Sequence, residues 1–167
     1  IADLAPPTVA GLAPADFDVR ICDEFIAPPD LDDPADFIGL TGKSPQAGRM
    51  LALAEEYRRR GKTVLIGGPF ATLTPELVRP HCDILVRGEI EEIAPVLFED
   101  LRRGRWQAEY TGNHPDLAKA PVPRWDRYPN HRAVAACVQT SRGCPYACEF
   151  CEAVVYAGRP DRQKPLA

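Results

Sequence analysis

Residues 63–69 read Thr63-Val-Leu-Ile-Gly-Gly-Pro69, a short apolar run that ends on two glycines and a proline. Short apolar runs bounded by turn residues are typical of parallel strands that are covered on both faces. We predict a strand at residues 63–67 and three further strands at residues 17–22, 37–41 and 83–86. The chain would therefore contain a parallel sheet.

Helical segments alternate with these strands. Residues 45–60 carry an apolar stripe and end in three arginines before Gly61, and this pattern suits the negative end of a helix dipole. A short helix is predicted after Thr74, which would be its N-cap, and another over residues 91–101. The alternation of strand and helix predicts an α/β domain with a doubly wound parallel sheet.

The pattern changes after residue 111. Residues 112–133 contain four prolines and little periodicity, which is typical of a linker. A new strand is predicted at residues 134–139, directly before a group of cysteines. We therefore divide the chain into an α/β domain at 1–111, a linker at 112–133 and the beginning of a second domain at 134–167.

Composition narrows the class of protein. The net charge is −4, from 20 Lys+Arg against 24 Asp+Glu, and nine of the acidic residues fall within residues 1–36. Such an acidic edge argues against nucleic acid as a partner. No apolar run approaches the ~20 residues of a membrane span, and no signal peptide opens the chain. These features predict a cytoplasmic protein.

Three of the six cysteines fall in the segment Cys144-Pro-Tyr-Ala-Cys148-Glu-Phe-Cys151. Crowded cysteines without a secretory signal indicate a metal or cluster site rather than disulfides. Three thiolates on one loop can bind three irons of a four-iron cluster and leave the fourth iron open, and the nearby Arg142 would favour the thiolate form. The alternatives are a zinc site with a distant fourth ligand such as His131, or three unrelated thiols.

The remaining cysteines and histidines are assigned no chemistry. We predict that the three other cysteines are small core residues. The two other histidines are predicted, like His131, to belong to the surface or the linker. These residues are Cys22, Cys82, Cys137, His81 and His114.

A second candidate site lies where the predicted strands end. Thr41, Gly67, Gly68 and Gly88 lie at the ends of three of them or just after. Because the carboxyl ends of parallel strands meet at one edge of a sheet, and ligands bind there, we expect these residues on a common edge. They are either ligand contacts or plain turns.

Several segments resemble a known family. The stretch Gln139-Thr-Ser-Arg-Gly-Cys-Pro-Tyr-Ala-Cys-Glu-Phe-Cys151 resembles the cluster motif of radical S-adenosylmethionine enzymes. The stretches Tyr156-Ala-Gly-Arg-Pro-Asp-Arg-Gln-Lys164 and Pro121-Val-Pro-Arg-Trp-Asp126 resemble a subgroup with an N-terminal domain of cobalamin-binding type. That subgroup includes methyltransferases and oxidative-cyclase-like enzymes. The resemblance covers about residues 4–164.

This resemblance implies specific roles. Cys144, Cys148 and Cys151 would hold a 4Fe-4S cluster, and Phe150 would lie against the nucleoside of S-adenosylmethionine, its other possible role being loop packing. An electron donor such as a flavodoxin or ferredoxin would reduce the cluster, and cleavage of S-adenosylmethionine would give a 5′-deoxyadenosyl radical that acts on a small-molecule substrate.

For the α/β domain, the resemblance implies that cobalamin binds. Thr41 and the three glycines that follow strands would surround its nucleotide tail. The chain lacks the D-x-H-x-x-G motif of cobalamin domains that ligate cobalt, so no histidine of that motif would bind the metal.

The resemblance also implies an incomplete enzyme. The sheet would lack its first, central strand, and the radical βα barrel would continue beyond residue 167. The chain would then be a fragment, inactive by itself, with little contact between its two halves. The parent would methylate or otherwise modify an unreactive carbon. The alternative is a non-catalytic regulatory or electron-transfer module that carries an iron–sulfur cluster or zinc.

Overall fold

The computed structural model describes residues 3–132, 135 and 137–165. Four parallel strands form one sheet in the order β1-β2-β3-β4. Their bounds are Phe37–Thr41 for β1, Thr63–Gly67 for β2, Ile84–Arg87 for β3 and Glu109–Thr111 for β4. The predicted α/β class with a parallel sheet is confirmed, and this architecture is consistent with a Rossmann-like fold.

Six α-helices accompany the sheet in the described part of the chain. They are α1 Ala5–Leu12, α2 Ala47–Arg59, α3 Pro69–Leu73, α4 Pro75–Val78, α5 Ala94–Arg102 and α6 Ala153–Ala157. Short 3-10 helices occur at Ser44–Gln46, Arg79–His81, Leu117–Lys119, Trp125–Arg127 and Asn130–Arg132. Among the described residues, none of the helices has the length and apolar character needed to cross a membrane.

Both faces of the sheet are buried. Side chains alternate between faces along a strand, so Val64 and Ile66 point away from Leu65. The first two residues join α2, α3 and α4 in one core, whereas Leu65 packs with Ile84 and α5 in the other. The sheet is therefore covered on both sides, as predicted. The strands have the same order in the sheet as in the sequence, so the order of the described strands does not reverse at any point.

Helix positions agree well with the sequence. The helix predicted at residues 45–60 is α2, preceded by a 3-10 turn. Thr74 does precede α4, but its hydroxyl donates to the Phe70 carbonyl instead of capping the helix. The helix predicted at 91–101 begins at Ala94, so that Pro95 falls in the first turn, where its missing N–H costs no hydrogen bond.

The strand predicted at residues 17–22 is wrong. The segment contains no strand, because Phe17 packs against α5 rather than entering the sheet. Phe17 packs edge-to-face on Phe98 with ring centroids 5.0 Å apart, while Asp18 and Arg20 are exposed. Alternating apolar residues indicate that one face of a segment is buried, and here that face includes Phe17, which packs on α5.

The strand predicted at residues 134–139 is not formed by the residues that the structure describes. Residues 134 and 136 lie outside them, and residues 135 and 137–139 carry no strand. Strand formation begins two residues later, where β5 Ser141–Arg142 pairs antiparallel with β6 Arg162–Gln163. A strand needs a hydrogen-bonding neighbour, and β6 supplies one only from this point.

The proline-rich segment packs on the sheet domain rather than crossing as an extended spacer. Leu117 and Tyr128 are buried, and the Tyr128 hydroxyl donates to the Asp23 carboxylate. Burial, together with that hydrogen bond, raises the pKa of Tyr128. The backbone N–H of Arg124 donates to the Pro7 carbonyl at 2.8 Å. The segment is therefore tied to α1 and to the acidic N-terminal residues.

Candidate functional site

The first candidate site is the carboxyl edge of the sheet, which we call the rim and define as Thr41, Gly67, Gly68 and Gly88. Thr41 is paired with Gly67 in the β1–β2 register, and Gly88 follows β3 in the same parallel sheet. The four residues therefore lie on one edge, as the sequence predicts.

The rim glycines are explained by contacts within the chain. Gly68 has φ +90°, and a Cβ at this position would lie 2.3 Å from Thr41 Oγ1. Gly88 has φ +70°, and its Cβ would lie 2.2 Å from the Gly112 carbonyl oxygen. Because protein atoms fill the space that these side chains would occupy, the glycines form no cradle for a ligand. They give no independent support for cobalamin.

A small cleft opens beside the rim. Its lining comes from the 3-10 turn after β1, from the start of α3 and from α6, and its volume is about 310 Å³. The lining residues are Lys43, Ser44, Pro45, Pro69, Glu152, Ala153 and Tyr156. This volume is at the low end for ligand pockets, which hold roughly 300–1,000 Å³. The cleft places residues just beyond Cys151 next to the rim.

The second candidate site is the cysteine segment, defined as residues 137–165. Cys144 and Cys151 are half-buried, Cys148 is exposed, and all three thiols are free. The Cys144 N–H donates to the Gly158 carbonyl at 3.1 Å, and the Cys151 N–H donates to the Cys148 carbonyl at 3.1 Å. The loop is thus formed by a tight turn and a contact with the chain that follows α6.

The convergence of the three thiols on a cluster stays a prediction. Within the described part of the chain, no three side chains of His, Cys, Asp or Glu are grouped closely enough to hold a metal ion. The donor set itself fits an iron–sulfur cluster, since three free thiols share one short loop. Thiolates have no attraction for one another, so it is the metal that draws such ligands together.

Phe150 does not pack within the loop. Its side chain is 90% exposed, and Tyr146 and Val155 nearby are also largely exposed. The alternative role of loop packing therefore has no support, and the ring is available to a ligand.

Arg142 is not directed at the thiols. Its guanidinium pairs with the carboxylates of Glu89 and Glu91, which follow β3, so the predicted role in favouring thiolates is wrong. Burial alone would lower the pKa of Arg142, but its interactions with the carboxylates of Glu91 and Glu89 outweigh burial and raise the pKa. Glu89 also pairs with Arg162. The expectation of little contact between the two halves is therefore wrong as well.

Sequence reasoning missed Glu89 and Glu91 as interacting residues. The only local signal is that they directly follow Gly88 at the end of a strand. Their partners lie 53 and 73 residues away from Glu89 in sequence, beyond the reach of any local pattern.

The other cysteines are not buried core residues. Cys22 is exposed, and Cys82 and Cys137 are only partly buried. Burial raises the pKa of the Cys82 thiol to about 11, and the neighbouring Asp83 adds to this shift.

His81 lies apart from the loop that carries the three thiols, and His114 and His131 are exposed. His81 Nδ1 lies 2.8 Å from Glu55 Oε1, the His114 ring packs on Gly158, and His131 is exposed.

Comparison with known proteins gives methyltransferases as relatives. The chain is 34% identical, over 96% of its length, to an uncharacterized methyltransferase of Synechocystis sp.. It is 28% identical over 95% of its length to the bacteriochlorophyllide d C-8(2)-methyltransferase of Chlorobaculum tepidum. It is also 28% identical over 98% of its length to the hopanoid C-2 methylase of Rhodopseudomonas palustris.

The matched regions are parts of longer proteins. The chain covers 32%, 37% and 33% of these three relatives, so it spans about a third of their length. No protein-family model matches the chain.

Proposed function

We propose that this chain is part of a radical S-adenosylmethionine methyltransferase that acts on an unreactive carbon of a small molecule. The observation that carries the proposal is the set of three free thiols at C-x3-C-x2-C spacing on one accessible loop. The relatives named as methyltransferases and as a methylase, each matched over nearly the whole chain, support methylation as the outcome.

In this proposal Cys144, Cys148 and Cys151 hold a 4Fe-4S cluster whose fourth iron is left for S-adenosylmethionine. When bound, the cluster supplies the electron that cleaves the sulfonium group. Phe150, which is exposed on the same loop, lies against the nucleoside and orients it. A flavodoxin or ferredoxin supplies the electron to the cluster.

Cobalamin at the rim is the less supported part of the proposal. It rests on the Rossmann-like sheet and on the resemblance of residues 121–126 and 156–164 to the cobalamin-dependent subgroup. Thr41, Gly67, Gly68 and Gly88 would border its nucleotide tail. Because contacts within the chain already explain the rim glycines, we assign no step of the reaction to this group.

The cluster is tested by anaerobic reconstitution of the full-length protein with iron and sulfide, followed by iron analysis and visible absorption. We expect cluster loss in Cys144→Ala, Cys148→Ala and Cys151→Ala. Cys82→Ala is the matched control and should retain the cluster, because Cys82 lies outside the cysteine segment. Retention of a full cluster in the Cys148 variant would contradict the proposal, and so would zinc as the bound metal.

The reaction type is tested separately by incubating the reduced, reconstituted protein with S-adenosylmethionine. We expect 5′-deoxyadenosine or S-adenosylhomocysteine to accumulate. A stable cluster without either product would identify a non-catalytic iron–sulfur module instead.

A further inference from the structure

A buried group of four charged side chains joins the sheet to the cysteine segment. It consists of Glu89 and Glu91, which follow β3, and of Arg142 and Arg162, which lie on β5 and β6. The exposed fractions of these side chains are 10%, 7%, 14% and 16% respectively. Charged side chains are rarely so buried unless they are paired, and here two positive and two negative groups balance.

Glu89 is the centre of this group. Its carboxylate accepts hydrogen bonds from Arg142 Nη1 and from both terminal nitrogens of Arg162, with Arg162 Nη1 at 3.1 Å. Glu91 Oε1 lies 2.6 Å from Arg142 Nη2, but among the described residues neither of its oxygens receives a well-directed hydrogen bond. Glu89 therefore supplies the directional contacts, and Glu91 adds negative charge.

The two arginines depend on this carboxylate. Arg142 and Arg162 are direct partners in the antiparallel β5–β6 pair. Like charges at paired positions destabilise a sheet, and an isolated two-stranded ribbon is only marginally stable. Because Glu89 binds both guanidinium groups, it removes the repulsion between them. The β5–β6 ribbon is therefore stabilised only when it is in contact with the sheet. Arg162 Nη2 also donates to the Ala157 carbonyl at 2.9 Å, which fixes the end of α6.

The ribbon in turn positions the first cysteine. Cys144 follows Arg142 by two residues, and its N–H is bound by the Gly158 carbonyl. The intervening Gly143 has φ +99°, and a Cβ there would lie 2.0 Å from the Pro160 carbonyl oxygen. This close packing leaves little freedom between Arg142 and Cys144. Since Glu89 directly follows Gly88, it connects the rim to the ribbon that precedes Cys144.

We propose that Glu89 is a positioning residue that docks the cysteine segment onto the rim and fixes the location of its thiols relative to the sheet. The docking uses contacts within the chain alone, so the inference goes beyond the proposed function and does not require it. A displacement of the backbone at the rim would be transmitted to Cys144 through Glu89 and Arg142.

Amide hydrogen exchange of the full-length protein tests the docking. In Glu89→Gln we expect the amides of residues 141–163 to exchange faster, on the order of tenfold to a hundredfold, because a buried charge pair is broken. Amides of β2 and β3 should keep their protection, which also verifies folding. The matched control is Glu92→Gln, an exposed glutamate three residues away, and it should leave all rates unchanged.

Two further variants separate docking by charge from simple packing. Glu89→Asp keeps the charge and should recover part of the protection that Glu89→Gln loses. The double variant Glu89→Gln/Arg162→Gln should exchange no faster than the faster single variant, because both changes remove the same interaction.

Unchanged exchange in Glu89→Gln, no recovery in Glu89→Asp, or additive effects in the double variant would overturn the proposal. The exchange experiment needs no cluster. A wild-type protein that fails to bind iron would refute the proposed function and leave this test intact.

Discussion

In the sheet, Val64, Ile66, Ile84 and Leu85 are fully buried, whereas the cysteine segment leaves the side chains of Val138 and Phe150 84% and 90% exposed. The sheet is stabilised by apolar packing on both faces. The cysteine segment is instead joined to it by ion pairs. A region with an apolar core is held in its structure by its own packing. A segment that is joined by polar contacts is held in place by the residues that it contacts. Three predictions test this contrast.

The largest effect is expected in the sheet core. Leu85→Ala should lower the free energy of unfolding by about 2–5 kcal/mol, because Leu85 is fully buried and its loss leaves a cavity. Val138→Ala in the cysteine segment is the control and should change it by no more than about 0.5 kcal/mol. Urea unfolding of the full-length protein measures both. Similar costs for the two variants would remove the contrast.

The junction between the two regions should be intermediate. Gly88→Ala should cost about 2–4 kcal/mol, because it combines a left-handed backbone with overpacking against the Gly112 carbonyl. Gly104 has φ +63° but no atom within 4 Å of its Cβ position, so Gly104→Ala should cost only about 1–2 kcal/mol. Thermal unfolding measures the loss of stability in both variants, and the difference between the two losses is the steric part of the cost at Gly88. Equal losses would show that Gly88 is needed only for its backbone conformation.

The smallest effect concerns the ion pairs that Glu109 of β4 makes with Arg79 and with Arg87 of β3. A hydrogen bond from Arg79, with a second one from Arg87, lowers the pKa of Glu109. A lowered carboxyl pKa stabilises the folded state above the unfolded pKa and loses this contribution as the pH falls through the folded pKa. Glu109→Gln should therefore destabilise the protein at neutral pH by about 1 kcal/mol or less, and the difference should shrink as the pH falls through the lowered folded pKa of Glu109.

The measurement is the free energy of unfolding of wild type and variant across that pH range. Glu76→Gln is the control, since the Glu76 side chain is 84% exposed. A constant difference between wild type and Glu109→Gln at all pH values would show that charge is not the cause.

The sequence by itself determined the features that depend on local periodicity. β1 and β2 have the predicted bounds, β3 is displaced by one residue, and α2 lies within its predicted range. Their apolar runs and stripes are long enough to distinguish strand from helix. The common edge of the rim residues follows from the same alternation, because parallel strands all end on one side. The cysteine spacing likewise marked the candidate cluster segment without any knowledge of the fold.

Tertiary structure decided the features that depend on a distant partner. Residues 17–22 have the alternation of a strand, but the surface on which Phe17 packs is provided by α5. β4 has only three residues and forms because β3 offers an unpaired edge. Glu89 acquires its role only where Arg142 and Arg162 meet on the ribbon. Such contacts depend on which segments the fold brings together, and no local pattern encodes that choice.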